Sequence, residues 1–215
     1  MKTAILFGAS GLIGSVLLPQ LLADSFYSKV TIVVRKMLPI QHPKLVQLVG
    51  DLASLPGLSG QLRGNDVYIS LGTTKAKTPD QAEYYRIDHD YPLQAARIGL
   101  QNGAQSVMIV SAVGANSGSK VFYVRTKGKT EEDVIALNYP HTHIFRPSML
   151  MGDRLEKRPL EKFLISLFRV INPLFVGSAK KYRGIDVKDV ASAMIRAAND
   201  TSVKVKIYEW GDMKR

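Results

Sequence analysis

A tyrosine and a lysine four positions apart are the first residues of chemical interest. They lie in the stretch FYVRTKGKTEEDV, which starts at Phe122. Residues four apart share one face of a helix, so the phenol of Tyr123 and the ammonium of Lys127 would be neighbours that can exchange protons with a ligand. An amphipathic helix that happens to begin with these two residues is the alternative, and the spacing alone does not decide.

Ser111 supplies context for this pair. It ends the apolar run Ser106 to Ser111, which has the length of a strand and precedes the helix of Tyr123 and Lys127. In an open α/β sheet, ligands bind outside the carboxyl ends of the strands. The serine, the tyrosine and the lysine can therefore converge at one edge of the sheet.

A glycine-rich loop follows the first apolar run, in the segment ILFGASGLIGSVLL. Gly8, Gly11 and Gly14 would allow a turn with positive φ, close approach of the backbone to a pyrophosphate, and tight packing of a helix on its strand. The spacing departs by one residue from the GxGxxG form, and a structural glycine turn is the alternative. A strand before the loop and a helix after it favour nucleotide binding.

The end of the second strand indicates which nucleotide would bind. A cofactor with an unmodified ribose usually meets a carboxylate about 20 residues after the glycine loop. Val34, Arg35 and Lys36 occupy this place here. Two cations can neutralise a 2′-phosphate, so the sequence favours NADP over NAD, with a solvated basic strand end as the alternative.

Composition excludes several classes of site and partner. The chain of 215 residues has no cysteine, which excludes disulfides and thiolate metal sites and indicates a reducing cytoplasm. Its four histidines lack a helical i, i+4 pair, so no metal site is expected. The net charge of +11 comes from scattered lysines and arginines, and no nucleic acid partner is expected. The longest apolar stretch, 163–176, is too short to span a membrane, and neither export nor a transmembrane segment is predicted.

Short apolar strands alternate with helical stretches along the first two thirds of the chain. This rhythm predicts a single doubly wound parallel sheet of the α/β class, with helix-length crossovers. The predicted strands are 3–7, 30–34, 44–49, 66–71, 106–111, 141–145 and 206–210. The predicted helices are 12–23, 80–101, 120–137, 160–171 and 187–199.

The chain resembles the short-chain dehydrogenase/reductase superfamily, in its atypical NAD(P)-binding branch related to the Tat-interacting protein of about 30 kDa. The resembling pieces occur in the expected order over nearly the whole chain: GASGLIG, VVRK, GDL, SLGTTKAK, YYRIDHDYPLQAARIGLQNGA, IVSAVGAN, YVRTKGKTEEDV, IFRPSMLMG and IDVKDVASAM. The resemblance implies one NAD(P)-binding Rossmann domain over residues 1–215, with a small C-terminal substrate lobe at residues 149–183. It also implies an oxidoreductase, and a homodimer formed by the helices after the fourth and fifth strands.

The resemblance implies a role for each site residue. Tyr123 would exchange a proton with the substrate, Lys127 would bind the nicotinamide ribose and lower the phenol's pKa, and Ser111 would orient a carbonyl. The remaining cofactor-binding positions implied are Gly8, Ser10, Gly11, Leu12, Ile13, Gly14, Arg35, Lys36, Asp51, Leu52, Leu71, Gly72, Thr73, Thr74, Arg146, Pro147 and Ser148.

Asp88 is a departure from the family pattern. Many relatives have an asparagine there that anchors a proton-relay water, and an acid that braces the helix is the structural alternative. Atypical members also include nucleotide-binding regulators without turnover, so an inert NADPH-binding regulator with a macromolecular partner is the alternative function. The apolar stripe within 160–176 could be a lid over an apolar carbonyl or enone substrate, a membrane-facing surface, or core.

Overall fold

The computed structural model describes residues 1–51, 53–152 and 177–214. Seven strands form one parallel sheet: β1 (Lys2–Phe7), β2 (Tyr27–Val34), β3 (Leu45–Val49), β4 (Asp66–Ile69), β5 (Ser106–Val110), β6 (His141–Phe145) and β9 (Val205–Tyr208). Two further strands, β7 (Leu150–Met151) and β8 (Ile185–Asp186), pair with each other in parallel as a second, two-stranded sheet.

Helices lie between the strands of the large sheet and after the last one. Those in the described residues are α1 (Gly14–Ala23), α2 (Leu55–Leu58), α3 (Gln81–Tyr85), α4 (Tyr91–Gln101), α5 (Phe122–Ala136), α6 (Val187–Ala198) and α7 (Trp210–Met213). A π-helical turn, Arg86–Asp90, joins α3 to α4, and short 3₁₀ turns cover Ser59–Gln61 and Gly177–Tyr182.

The strand order across the sheet is β3-β2-β1-β4-β5-β6-β9. The chain winds outward from β1 to β3 and then returns to place β4 on the other side of β1. Connections from the carboxyl ends of β1 and β4 therefore leave in opposite directions and open a crevice between them. This arrangement is a Rossmann fold, which confirms the predicted fold class.

Alternating side chains of the strands build a core on each face of the sheet. Ala4 and Leu6 of β1 pack on the side of α1 and α6, while Ile5 and Phe7 pack on the opposite side, against α4. All four side chains are almost completely buried. A strand covered on both faces has no polar alternation, which explains the continuous apolar runs in the sequence.

The seven strands and four of the helices predicted from the sequence are present, with ends that differ by at most three residues. The predicted helix at 80–101 is a composite of α3, the π-helical turn and α4. The predicted helix at 160–171 and the stripe within 160–176 lie outside the described residues. Among the helices that are described, none has the length and apolar character needed to cross a membrane.

Candidate active site

The glycine loop turns sharply between β1 and α1. Gly8 has φ of +87°, a conformation that favours glycine, and a Cβ there would lie 2.6 Å from the carbonyl oxygen of Ser70. A Cβ at Gly14 would lie 2.0 Å from the carbonyl oxygen of Gly8. The turn therefore has no room for side chains at these two positions, and it packs directly against the amino end of α1, where an anion is favoured.

A cavity of about 470 Å³ opens beside this turn, at the carboxyl edge of the sheet. It is bordered by residues from the glycine turn, the ends of β4 and β5, and α5. The predicted site residues that line it are Ser10, Gly11, Leu12, Ile13, Leu71, Gly72, Thr73, Thr74, Ser111, Tyr123, Lys127, Pro147 and Ser148. The fold thus brings together residues that lie more than a hundred positions apart in the sequence.

Other predicted site residues do not line the cavity. Gly8 and Gly14 form the turn behind it, while the side chains of Arg35 and Lys36 at the end of β2, and that of Asp51, are exposed. Leu52 lies outside the described residues.

Arg146 is held by α5 and does not line the cavity. Its guanidinium makes a two-pronged contact with the buried carboxylate of Glu131, with Nε to Oε1 at 2.9 Å and Nη2 to Oε2 at 2.5 Å. Hydrogen bonding to Glu131 raises the pKa of Arg146. The pair fixes the end of β6 against α5, so that the next two residues, Pro147 and Ser148, enter the cavity.

Ser111 lines the cavity and has a buried hydroxyl. Its backbone N–H donates to the carbonyl of Phe145 at 2.7 Å, which fixes the residue at the end of β5. The side chain is almost fully buried, and its Oγ has no hydrogen-bond partner among the described residues. A buried polar atom without a partner is costly, so a ligand atom in the cavity is the natural acceptor or donor for it.

Lys127 and Asp88 form an ion pair on the wall of this cavity. The ammonium of Lys127 lies 2.7 Å from Oδ1 of Asp88, and both side chains are almost completely buried. Oδ2 of Asp88 accepts a hydrogen bond of 2.8 Å from the backbone N–H of Thr73. The lysine is therefore fixed in place with its charge compensated.

Tyr123 stands in the first turn of α5 and is 41% exposed. Partial burial of the ring, followed by the negative charge of Asp88, raises the pKa of its phenol to about 12. This direction is opposite to the lowering implied by the family resemblance. The phenol is therefore protonated near neutral pH and is suited to donate a proton.

Gly128 sets the position of α5. A Cβ at this residue would lie 2.1 Å from the backbone nitrogen of Ser117 and 2.2 Å from the carbonyl carbon of Asn116. The helix therefore packs directly on the loop that follows β5. This contact places Tyr123 and Lys127 opposite Ser111.

Several residues of the cavity wall were missed at the sequence level: Ser15, Ser70, Lys77, Val110 and Leu150, with Asp88 assigned no definite role. Ser70 directly follows β4, and its Oγ donates to the carbonyl of Phe7 at 3.2 Å. Its place at the end of a strand next to the crevice was a usable signal. The sequence contained no such signal for Lys77 and Leu150. Loops and short strands outside the main sheet have no fixed register with that sheet.

A second cavity of about 480 Å³ shares Tyr123, Pro147 and Ser148 with the first. Its other described lining residues are Ala112, Val113, Met149 and Tyr182. Met149 and Tyr182 belong to the described ends of the predicted lobe at 149–183. Tyr123 is thus accessible from both cavities.

Comparison with known sequences gives matches over about two thirds of the length of each relative. The mitochondrial protein FMP52 of Candida glabrata is 39% identical over 153 residues, which cover 71% of this chain and 66% of that protein. HTATIP2 of Rattus norvegicus is 34% identical over 164 residues, which cover 74% of this chain and 67% of that protein. The chain belongs to the HTATIP2 and FMP52 family. The predicted relationship to the Tat-interacting branch of atypical short-chain dehydrogenases/reductases is confirmed.

Solved structures with the same fold include enzymes captured with NAD. WbmH of Bordetella bronchiseptica in complex with NAD+ has a TM-score of 0.73 at 18% identity, covering 98% of this chain and 76% of that one. MoeE5 in complex with UDP-glucose and NAD has a TM-score of 0.71 at 21% identity, covering 95% and 74%. At these identities the likeness shows only that this member of the HTATIP2 and FMP52 family has the same fold as those proteins. No protein-family model matches the chain.

The names of the fungal family members correct one prediction. FMP52 is named as mitochondrial in yeasts from Candida glabrata to Saccharomyces cerevisiae. The cytoplasmic location predicted from the sequence is therefore wrong. It depended largely on the absence of cysteine, which indicates that no disulfide forms and does not distinguish one reducing compartment from another.

Proposed function

We propose that the protein is an NADPH-dependent oxidoreductase of the atypical short-chain dehydrogenase/reductase type, acting on an apolar carbonyl or enone compound. The observation that carries this proposal is the unpartnered Oγ of Ser111, buried in the same cavity as Tyr123, Lys127 and the glycine turn. A hydroxyl, a phenol and an ammonium at the mouth of an anion-binding turn are the groups that carbonyl reduction needs.

The glycine turn beside the cavity supports the binding of a dinucleotide. The turn and the amino end of α1 would hold the pyrophosphate, because the glycines at 8 and 14 let the chain turn tightly and bring backbone N–H groups of the helix start toward an anion. Asp51 would contact the adenine, and the segment 146–148 would pass the nicotinamide. Arg35 and Lys36, exposed at the end of β2, would neutralise a 2′-phosphate and favour NADP over NAD.

Two protein groups act on the substrate oxygen in this proposal. When bound, the cofactor would supply a hydride, with its electron pair, to the carbonyl carbon. The Oγ of Ser111 would donate a hydrogen bond to the carbonyl oxygen and orient it. Tyr123 would transfer its phenolic proton to the same oxygen, which completes the alcohol, and would regain a proton from water.

The second cavity supports an apolar substrate. None of its described lining residues carries a charge, and Ala112, Val113 and Met149 contribute aliphatic surface beside the phenol ring of Tyr182. A charged substituent would lose its hydration there without gaining a partner.

We further propose that residues 149–183 form the substrate lobe of a single domain. Two copies of the chain would pair through α4 and α5 as a homodimer.

Cofactor choice is tested by thermal unfolding of the purified protein with NADPH or NADH. We expect NADPH to give the larger increase in Tm, because a ligand that binds the folded state stabilises it by about 2.7 kcal/mol at a hundredfold excess over its Kd. A larger increase with NADH would contradict the assignment of Arg35 and Lys36.

Turnover is tested with Tyr123→Phe and a panel of aromatic and long-chain aldehydes, ketones and enones. We expect the substitution to lower kcat at least about 100-fold, since it removes the proton donor, and to leave NADPH binding unchanged. Tyr91→Phe, outside both cavities, is the matched control and should keep the wild-type rate. Binding of NADPH with no turnover by the wild type would instead favour an inert regulatory protein.

A further inference from the structure

Asp88 joins three parts of the site. It lies on the π-helical turn between α3 and α4, and 1% of its surface is exposed. Its carboxylate contacts Lys127 of α5 at 2.7 Å and the backbone N–H of Thr73 at 2.8 Å, while its own carbonyl accepts the hydroxyl of Thr130 at 2.9 Å. The residue is thus held between the loop after β4 and the helix that carries Tyr123.

We propose that Asp88 is a positioning residue that acts as the fixed counter-ion of Lys127 and keeps the Tyr123 phenol in its proton-donating form. This inference rests on the proposed function and specifies the protonation state in which that site works. A neutral asparagine could brace the same helix, but it could not cancel the charge of the ammonium.

The electrostatic reason lies in the groups that face the phenol. An isolated ammonium near Tyr123 would stabilise the phenolate and so help alcohol oxidation, which needs a base. Asp88 places a negative charge 2.7 Å from that ammonium, so the buried pair has no net charge. Among the described residues, Lys77 and Tyr182 are the other titratable groups that line a cavity together with Tyr123, and Tyr84 of α3 interacts with it electrostatically.

The pKa of a neighbouring tyrosine, Tyr84, is shifted in the same direction as that of Tyr123. Burial and then the charge of Asp88 raise the pKa of Tyr84, as they do for Tyr123. The hydroxyl of Tyr84 donates to the carbonyl of Thr73 at 3.3 Å, next to the N–H that binds Asp88. The acid therefore acts on both phenols from one fixed position.

The experiment is an ultraviolet titration of phenolate in Asp88→Asn without cofactor. Each titration is repeated in a variant that also carries Tyr123→Phe. The difference between the two curves gives the signal of Tyr123 without that of the other tyrosines. We expect the pKa of Tyr123 to fall by at least about 1 when the uncompensated ammonium of Lys127 remains. Asp90→Asn, on the same turn but half-exposed, is the matched control and should titrate like the wild type.

The double variant Asp88→Asn with Lys127→Met guards against misfolding, because it leaves no unpaired buried charge. Its Tyr123 should titrate close to the wild-type pKa. With substrate, Asp88→Asn should move the pH at which alcohol oxidation reaches half its maximal rate downward by at least about 1. An unchanged phenolate titration in Asp88→Asn, or an unchanged pH profile, would overturn the inference; absence of NADPH binding or of all turnover in the wild type would instead overturn the proposed function.

Discussion

Two buried serines at opposite ends of β5 show how a site group differs from a structural one. The hydroxyl of Ser106 contacts Asp66, within a buried network in which Tyr27 donates to the same carboxylate at 2.6 Å. The hydroxyl of Ser111 has no such partner among the described residues, although it is equally buried. His143 shows that a buried polar atom without a partner is not by itself a site group, so the position of Ser111 at the cavity is what supports a role in ligand binding.

These two serines make a matched pair of variants. Ser111→Ala should leave the free energy of unfolding unchanged or raise it by up to about 1 kcal/mol, because it removes an unsatisfied polar atom, while kcat falls about 100-fold. Ser106→Ala should lower the free energy of unfolding by about 1 kcal/mol and leave kcat unchanged. Chemical denaturation and steady-state kinetics measure both effects. The role of Ser111 would be refuted if its alanine variant were destabilised and fully active.

The element that matters most for cofactor binding is the contact between the glycine turn and α1. Helix α1 begins at Gly14, whose Cα hydrogens face the carbonyl of Gly8 with no room for a methyl group. The same principle recurs at Gly128, where α5 packs on the loop after β5. In both places a helix reaches its site only because one residue has no side chain.

Gly14→Ala should therefore destabilise the protein and weaken NADPH binding together. We expect a loss of about 1–3 kcal/mol in the free energy of unfolding, since the added methyl group pushes α1 away from the turn. Gly211→Ala is the control, because a Cβ in helix α7 meets no atom within 4 Å. It should leave binding unchanged and add up to about 1 kcal/mol of stability. Equal Tm values for the two variants would disprove the packing argument.

The whole molecule carries a pH dependence that is separate from the site. His143 of β6 is completely buried, its Nδ1 lies 3.0 Å from the hydroxyl of Tyr208, and its Nε2 has no partner among the described residues. Burial lowers its pKa from 6.5 to about 4. The unfolded chain therefore binds this proton more readily than the folded protein does.

The free energy of unfolding should fall as the pH drops from about 6.5 to about 4, by at most about 3 kcal/mol from this group, and level off below. His143→Gln should remove that part of the slope, whatever its effect on absolute stability. His42→Gln, at a partly exposed histidine, should retain it. Urea denaturation at a series of pH values measures the slopes, and an unchanged slope in His143→Gln would show that another group titrates.

The amino-acid sequence by itself determined the strands, the crossover helices and the glycine turn of this protein. These features depend on local patterns: runs such as Ile5 to Phe7 specify a strand buried on both faces, and Gly8 and Gly14 specify a turn without side chains. The carboxyl ends of parallel strands lie at one edge of the sheet, so Ser111, Tyr123 and Lys127 could be assigned to that edge without knowledge of the strand order.

Only the tertiary structure decided how the charges at that edge are paired. Asp88 and Lys127 are 39 positions apart, and their 2.7 Å contact exists because the π-helical turn packs directly against α5. The pairing of Arg146 with Glu131 likewise depends on the packing of β6 against α5. Electrostatic effects fall off over a few ångströms, so a phenol's pKa follows from three-dimensional distances that no residue spacing specifies.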